Sequence, residues 1–122
     1  MPAVTDLPGQ PGAYEAVTPG DTATGFTATN INPTSGTYSG TVAVAALLTC
    51  EDQTVNFSLH GTDPTAAAGT DIGHQLKAGE SVELRGNVTL TNFSCIDRVS
   101  GSAGTVKATF YYEHQASRIG VK

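Results

Sequence analysis

Between residues 105 and 113 the chain alternates residue by residue: Val106, Ala108, Phe110 and Tyr112 fall on one side, Thr105, Lys107, Thr109 and Tyr111 on the other. A period of two sends successive side chains to opposite faces of a strand, so this segment commits one face to a core. The pattern recurs. In residues 81–85, Val82 and Leu84 point inward against Glu83 and Arg85, and in residues 53–60, Val55, Phe57 and Leu59 oppose Asn56, Ser58 and His60. No segment carries a convincing 3.6-residue apolar stripe, so sheets have to bury this chain.

The remaining segments fit the same scheme. Residues 41–50 hold the run Val42-Ala43-Val44-Ala45-Ala46-Leu47-Leu48, uncharged and opened by a β-branched residue, as expected of a strand covered on both faces. A helix is the alternative, but the run is short, lacks charged helix formers and follows Gly40. Residues 22–30 alternate weakly around Phe26, ahead of the turn cluster Asn32-Pro33-Thr34-Ser35-Gly36. In residues 88–96 the inward parity starts on Val88 and Leu90 and continues on Phe93 and Cys95, a one-residue slip at Thr91-Asn92 that a β-bulge explains. Residues 61–79 read as a long connection with a short strand at 72–76. Glu51-Asp52 and Gly101-Ser102-Ala103-Gly104 read as hairpin turns.

Six to eight short strands predict an all-β protein, an antiparallel β-sandwich of immunoglobulin-like or jelly-roll type, with a small barrel as the alternative. Composition agrees: 18 threonines, 14 glycines, 6 prolines and only 14% charged residues. At 122 residues the chain makes one domain that can fold without disulfides or a metal. We divide it into an arm (1–20), the sandwich (21–116) and a C-terminal tail (117–122).

The arm contains Pro2, Pro8, Pro11 and Pro19 with Gly9, Gly12 and Gly20, which suits neither a helix nor a central strand. A disordered tail is one reading. The other is that Leu7, Tyr14 and Val17 dock on another subunit or on a partner, in which case deleting residues 1–20 removes binding and leaves the sandwich folded.

The first basic side chain is Lys77. Residues 1–76 carry seven carboxylates and no lysine or arginine, whereas residues 77–122 carry four acids and six bases. Six scattered cations on an acidic chain argue against direct nucleic-acid binding. They suggest a pole-to-pole field that orients the protein on a protein surface, with Arg98, Lys107, Arg118 and Lys122 nearer an acidic neighbour. The start Met1-Pro2-Ala3-Val4 has no basic-then-apolar leader pattern, and no run of roughly 18 apolar residues is present, so neither export nor membrane insertion is expected. Cys50 and Cys95 read as two small buried apolar residues, with a disulfide as the alternative.

No catalytic constellation stands out, and neither enzyme activity nor a cofactor is expected. His60, Asp63, Asp71 and His74 share one glycine-rich stretch, but their spacing matches no metal motif, and Asp63 before Pro64 reads as a turn former. The absence of tryptophan counts modestly against a sugar-stacking platform, although Tyr14, Tyr38 and Tyr111 can substitute. Tyr111 is also a contact candidate, because tyrosine is enriched at interfaces.

The stretch Val55-Asn56-Phe57-Ser58-Leu59-His60-Gly61-Thr62-Asp63-Pro64-Thr65, with Gly73-His74-Gln75-Leu76, Gly79-Glu80-Ser81-Val82-Glu83-Leu84, Asn92-Phe93-Ser94-Cys95-Ile96 and Val106-Lys107-Ala108-Thr109-Phe110-Tyr111-Tyr112, resembles small β-sandwich capsid decoration, or cement, proteins of tailed bacteriophages. The likeness spans residues 53–112; His60 stands where that pattern has an aspartate before the glycine. The resemblance implies a structural virion protein, made in the host cytoplasm, that binds the major capsid protein on the outside of the assembled capsid as a homotrimer and stabilises it. The contact candidates are then Leu7, Tyr14, Val17, Tyr38, Tyr111 and Arg118. A receptor- or glycan-binding module of a tail fibre or cell surface is the alternative, and a pilin or adhesin subunit a third.

Overall fold

The computed structural model describes residues 9–65, 73–99, 101 and 103–113, and the account below concerns these. Seven strands form two antiparallel sheets. The first sheet has the order β1-β7-β2-β5, built from Gln10–Val17 (β1), Thr105–Tyr112 (β7), Ala43–Glu51 (β2) and Ser81–Arg85 (β5). The second has the order β4-β3-β6, built from His74–Leu76 (β4), Val55–Ser58 (β3) and Ser94–Asp97 (β6). The all-β sandwich expected from the alternation is the architecture observed. Among the described residues, no helix is long and apolar enough to cross a membrane.

The core lies between the sheets. Ala46, Leu48 and Cys50 of β2 and Val106, Ala108, Phe110 and Tyr112 of β7 face Val55, Phe57 and Cys95 of the other sheet. Phe26 stacks on Phe93 at 4.3 Å between ring centroids and meets Phe110 edge-on at 4.9 Å, while Phe57 flanks Phe93 at 5.9 Å. Fully burying one such ring contributes about 1.5–3 kcal/mol, and through Phe26 and Phe93 the cluster links Phe110 of one sheet to Phe57 of the other.

Two segments depart from the sequence reading. Residues 22–30 are not a strand: only Thr24 pairs, exchanging two 2.9 Å backbone hydrogen bonds with Cys95, and the chain then enters the one-turn helix Ala28–Ile31 (α1). Residues 88–96 are not one bulged strand either. Gly86, at φ 99°, ends β5, and the helix Asn87–Asn92 (α2) follows before β6. The amide of Asn87 donates to the Ala43 carbonyl at 3.1 Å and holds α2 on β2. The parity slip at Thr91-Asn92 therefore marks a helix handing over to a strand.

The connections also differ. β2 and β3 lie in different sheets, as do β6 and β7, so the segments read as hairpin turns are arches that carry the chain from one layer to the other. The first arch places Asp52 at φ 72°, a conformation aspartate tolerates better than most residues, and closes with Gln53 N–H donating to the Glu51 carbonyl at 2.9 Å. In the second, a Cβ on buried Gly104 would come within 2.7 Å of Val55 and 3.0 Å of the Gln53 carbonyl, so only glycine lets the two arches pack together.

Residues 10–17 of the expected arm belong to the sandwich. β1 is an edge strand on β7, where Pro11 costs no ladder bond that a central strand would need. A one-residue register shift between Pro11 and Tyr14 bulges the strand, and a Cβ on Gly12 would stand 2.7 Å from the Tyr112 ring. Glu15 fastens β1 to α1. Its carboxylate accepts from the Thr27 backbone N–H (3.1 Å), the Thr27 hydroxyl (2.8 Å) and the Asn30 amide (2.9 Å).

β3 shows why clean alternation does not always mean one wet face. Asn56 and Ser58 point away from the core yet are 1% exposed, because the chain after β3 folds back over them. Asn56 donates to the Thr65 carbonyl at 2.8 Å and Ser58 to the Thr62 carbonyl.

Candidate interaction surface

The outward positions of the four-stranded sheet follow from register. Across the strands, Tyr14 stands beside Thr109, Thr109 beside Leu47 and Leu47 beside Glu83. The next row is Pro11, Tyr111, Ala45 and Arg85, and on the other side Ala16, Lys107, Thr49 and Ser81. The centre of this face is uncharged, made of Tyr14, Tyr111, Thr109, Leu47 and Thr49; Ala45, in register with Tyr111, is itself fully buried. Tyr14 is 59% exposed, and Tyr111, Leu47 and Thr109 are half-buried.

Charges sit at its margins in pairs. Lys107 reaches Glu51 at 3.0 Å and Arg85 reaches Glu83 at 3.3 Å. The hydrogen bond and charge of Glu51 raise the Lys107 pKa, with the Tyr14 phenol a further contributor. Such exposed pairs add little stability, but they leave the margin hydrated and close to neutral. An apolar and hydroxyl centre inside a polar rim is the composition of protein interfaces.

The six contact candidates scatter. Tyr14 and Tyr111 come together on this face, from adjacent strands. Val17 does not join them, because it is 3% exposed and packs in the chain's own core. Tyr38 lies elsewhere, stacked on Tyr112 at 4.7 Å beside α1. Leu7 and Arg118 lie outside the described residues. Leu47 was missed as a surface residue because the apolar run it belongs to reads as covered on both faces; its phase with Thr49 and Glu51 is the signal that places it outward.

The expected charge poles are not formed by the sheet. β7, from the basic half of the sequence, is inserted between β1 and β2 from the acidic half, and Lys107 pairs with Glu51 across that boundary. Strand order interleaves what sequence order separates.

Beside α1 lies a groove of about 340 Å³, lined by residues that include Ala13, Thr29, Asn30, Thr34, Tyr38 and Tyr112. The Tyr112 hydroxyl donates to the Asn30 carbonyl at 2.5 Å, and the Tyr38 hydroxyl to the Gln10 side chain at 3.4 Å. A second hollow of about 300 Å³ lies at the β6–β7 arch, lined in part by Asp21 and Asp97. Both carboxylates serve that arch, since Asp21 accepts from Gly101 N–H and Asp97 from Gly104 N–H, each at 3.2 Å. Burial raises the Asp97 pKa, the Gly104 bond lowers it, and the charge of Asp21 raises it further.

Among the described residues, no three histidine, cysteine, aspartate or glutamate side chains gather as metal ligands; Asp71 lies outside them. Cys50 and Cys95 are free thiols, both buried in the core. Burial, then the nearby Cys50 and Asp97 charges, push Cys95 up to about 12. No family model, curated protein or solved structure matches this chain.

Proposed function

We propose that this chain is a structural protein of a tailed-bacteriophage particle, which binds the outside of the assembled capsid as a trimer and stabilises it. The sequence resemblance over residues 53–112 suggests the class of protein. The observation that carries the reading is the outer face of the four-stranded sheet, an uncharged centre with two tyrosines and a leucine inside a rim of compensated ion pairs. A surface of this kind gains affinity by covering aromatic and aliphatic groups, and repetition over a symmetric shell multiplies modest contacts by avidity.

The test is co-sedimentation with undecorated phage heads, with light scattering on the free chain to establish the trimer. Leu47→Lys puts a charge at the centre of the face, and Tyr14→Ala removes its most exposed ring. Each variant is expected to keep the native circular dichroism spectrum and to bind heads at least tenfold more weakly, the size of effect a central contact gives. Full occupancy by both variants would show that another surface docks. Failure of the unaltered chain to sediment with heads would end the capsid reading itself.

A further inference from the structure

We propose that the groove beside α1 is a binding site for a neutral saccharide, formed by Tyr38 and the residues of α1 and of the loop that follows it. This goes beyond capsid attachment and does not depend on it.

Three features carry the assignment. First, Tyr38 is held as a fixed plate. Its ring stacks on Tyr112 at 4.7 Å with 22° between the planes, its hydroxyl lies 3.4 Å from the Gln10 side chain of β1, and this half-buried residue is among those lining the groove. An aromatic face carries negative charge and takes the weakly positive C–H edge of a pyranose ring. Second, beside the apolar Ala13 and Pro33 the lining carries alcohols and an amide: Thr29, Thr34 and Ser35 are exposed, and Asn30 is fixed in place by Glu15. Hydroxyls donate and accept, which matches the vicinal hydroxyls of a sugar. Third, among the described residues no lysine, arginine, histidine, aspartate or glutamate lines the groove. Among the described lining residues a phosphate, nucleotide or acidic sugar finds no counter-charge, and a wholly apolar ligand would leave the rim unpaired. At about 340 Å³ the space is at the small end of ligand pockets and suits one or two sugar rings.

Position adds a consequence. Tyr111 and Tyr112 are neighbours on β7 and point to opposite faces, so a chain docked through Tyr111 and Tyr14 leaves the groove at Tyr112 open. A particle bearing many copies would then present many weak saccharide sites, a multivalent arrangement.

The experiment is amide NMR of the free chain titrated with glucose, galactose, N-acetylglucosamine, maltose and cellobiose in turn, with glucuronic acid and glucosamine as charged comparisons. Saturable shifts at the amides of residues 29–38 are expected with at least one neutral sugar. Tyr38→Ala should weaken that binding at least tenfold, and Tyr38→Phe, which keeps the ring stack, should retain it. Should Tyr38→Ala disturb the fold, Thr34→Arg fills the groove from an exposed loop position and should have the same effect. The proposal is overturned by the absence of saturable shifts at these amides with every neutral sugar, by binding that survives both Tyr38→Ala and Thr34→Arg, or by equal binding of the charged sugars. Because heads are absent from this experiment, its failure leaves the capsid reading untouched.

Discussion

Replacing Glu15 tests whether β1 is part of the domain or an arm resting on it. The Glu15 carboxylate collects three donors, the Thr27 N–H, the Thr27 hydroxyl and the Asn30 amide, at 2.8–3.1 Å. Thr27 is the N-cap of α1 and makes no cap bond with its own side chain, so Glu15 caps the helix from a strand twelve residues earlier. Hydrogen bonds to a charged group contribute about 1.5–3 kcal/mol each when buried. Here most donors reach water, and loss of a cap costs about 1 kcal/mol, so we expect about 2 kcal/mol for Glu15→Ala as a whole. With a urea slope of about 1.3 kcal/mol/M, the unfolding midpoint should fall by roughly 1.5 M. Glu15→Gln keeps an acceptor and should lose about half as much. A double-mutant cycle with Thr27→Ala should return a coupling of about 1 kcal/mol, and hydrogen exchange should show the β1 amides losing protection first. A midpoint shift below roughly 0.2 M, with coupling under about 0.3 kcal/mol, would refute the fastening of β1 through α1.

Two further outcomes follow from the core. Cys95 is held protonated by burial, so its folded pKa, about 12, lies above its ordinary value of 9.0. The folded state binds that proton more tightly, and the resulting stability is complete below pH 9 and lost as pH rises toward 12. Between about pH 8 and about pH 10.5 the urea midpoint of the unaltered chain should fall more steeply than that of Cys95→Ala; parallel profiles would contradict this. Gly104→Ala sets a methyl against Val55 and the Gln53 carbonyl between the two arches, and should destabilise by about 1–3 kcal/mol. An unchanged midpoint would mean the arches have room to separate.

How far the fold can be read from sequence depends on which interactions decide each segment. β7, β5 and β2 are legible because alternation and apolar runs are direct records of burial. α2 is not, since of its two apolar residues only Leu90 is buried while Val88 is exposed, and one buried residue cannot make a stripe. Val88 inside the helix and Phe93 just after it supply a false strand parity across the boundary. Arches and hairpins use the same turn chemistry; Asp52 and Gly101 announce a reversal but not the sheet to which the chain returns. Asn56 and Ser58 read as outward, which is true, but their cover comes from residues 62–65 and is a tertiary event. Of the candidate surface, Tyr14 and Tyr111 are legible in the sequence as contact candidates, whereas their meeting on one face requires the pairing of β1 with β7. Glu15 gave no local signal, because its partners lie twelve and fifteen residues away.

This topology also determines how the capsid reading can be tested. Deleting residues 1–20 looks like the removal of an arm, but it would take out β1, uncover the β7 edge, remove Val17 from the core and strip α1 of its cap. Lost particle binding would then report a damaged domain as readily as a missing contact. The row Tyr14, Thr109, Leu47, Glu83 draws on four strands far apart in sequence, and β3 and β4 are the only consecutive strands that pair with each other among those described. The face consequently exists only when the whole four-stranded sheet does. Outward substitutions at Leu47 and Tyr14 change that face without touching the inward side of the sheet, and truncation ahead of Gly9 removes Leu7 while sparing every pair in β1. Comparing those two perturbations separates a contribution of residues 1–8 from that of the sheet, a distinction the longer deletion cannot make.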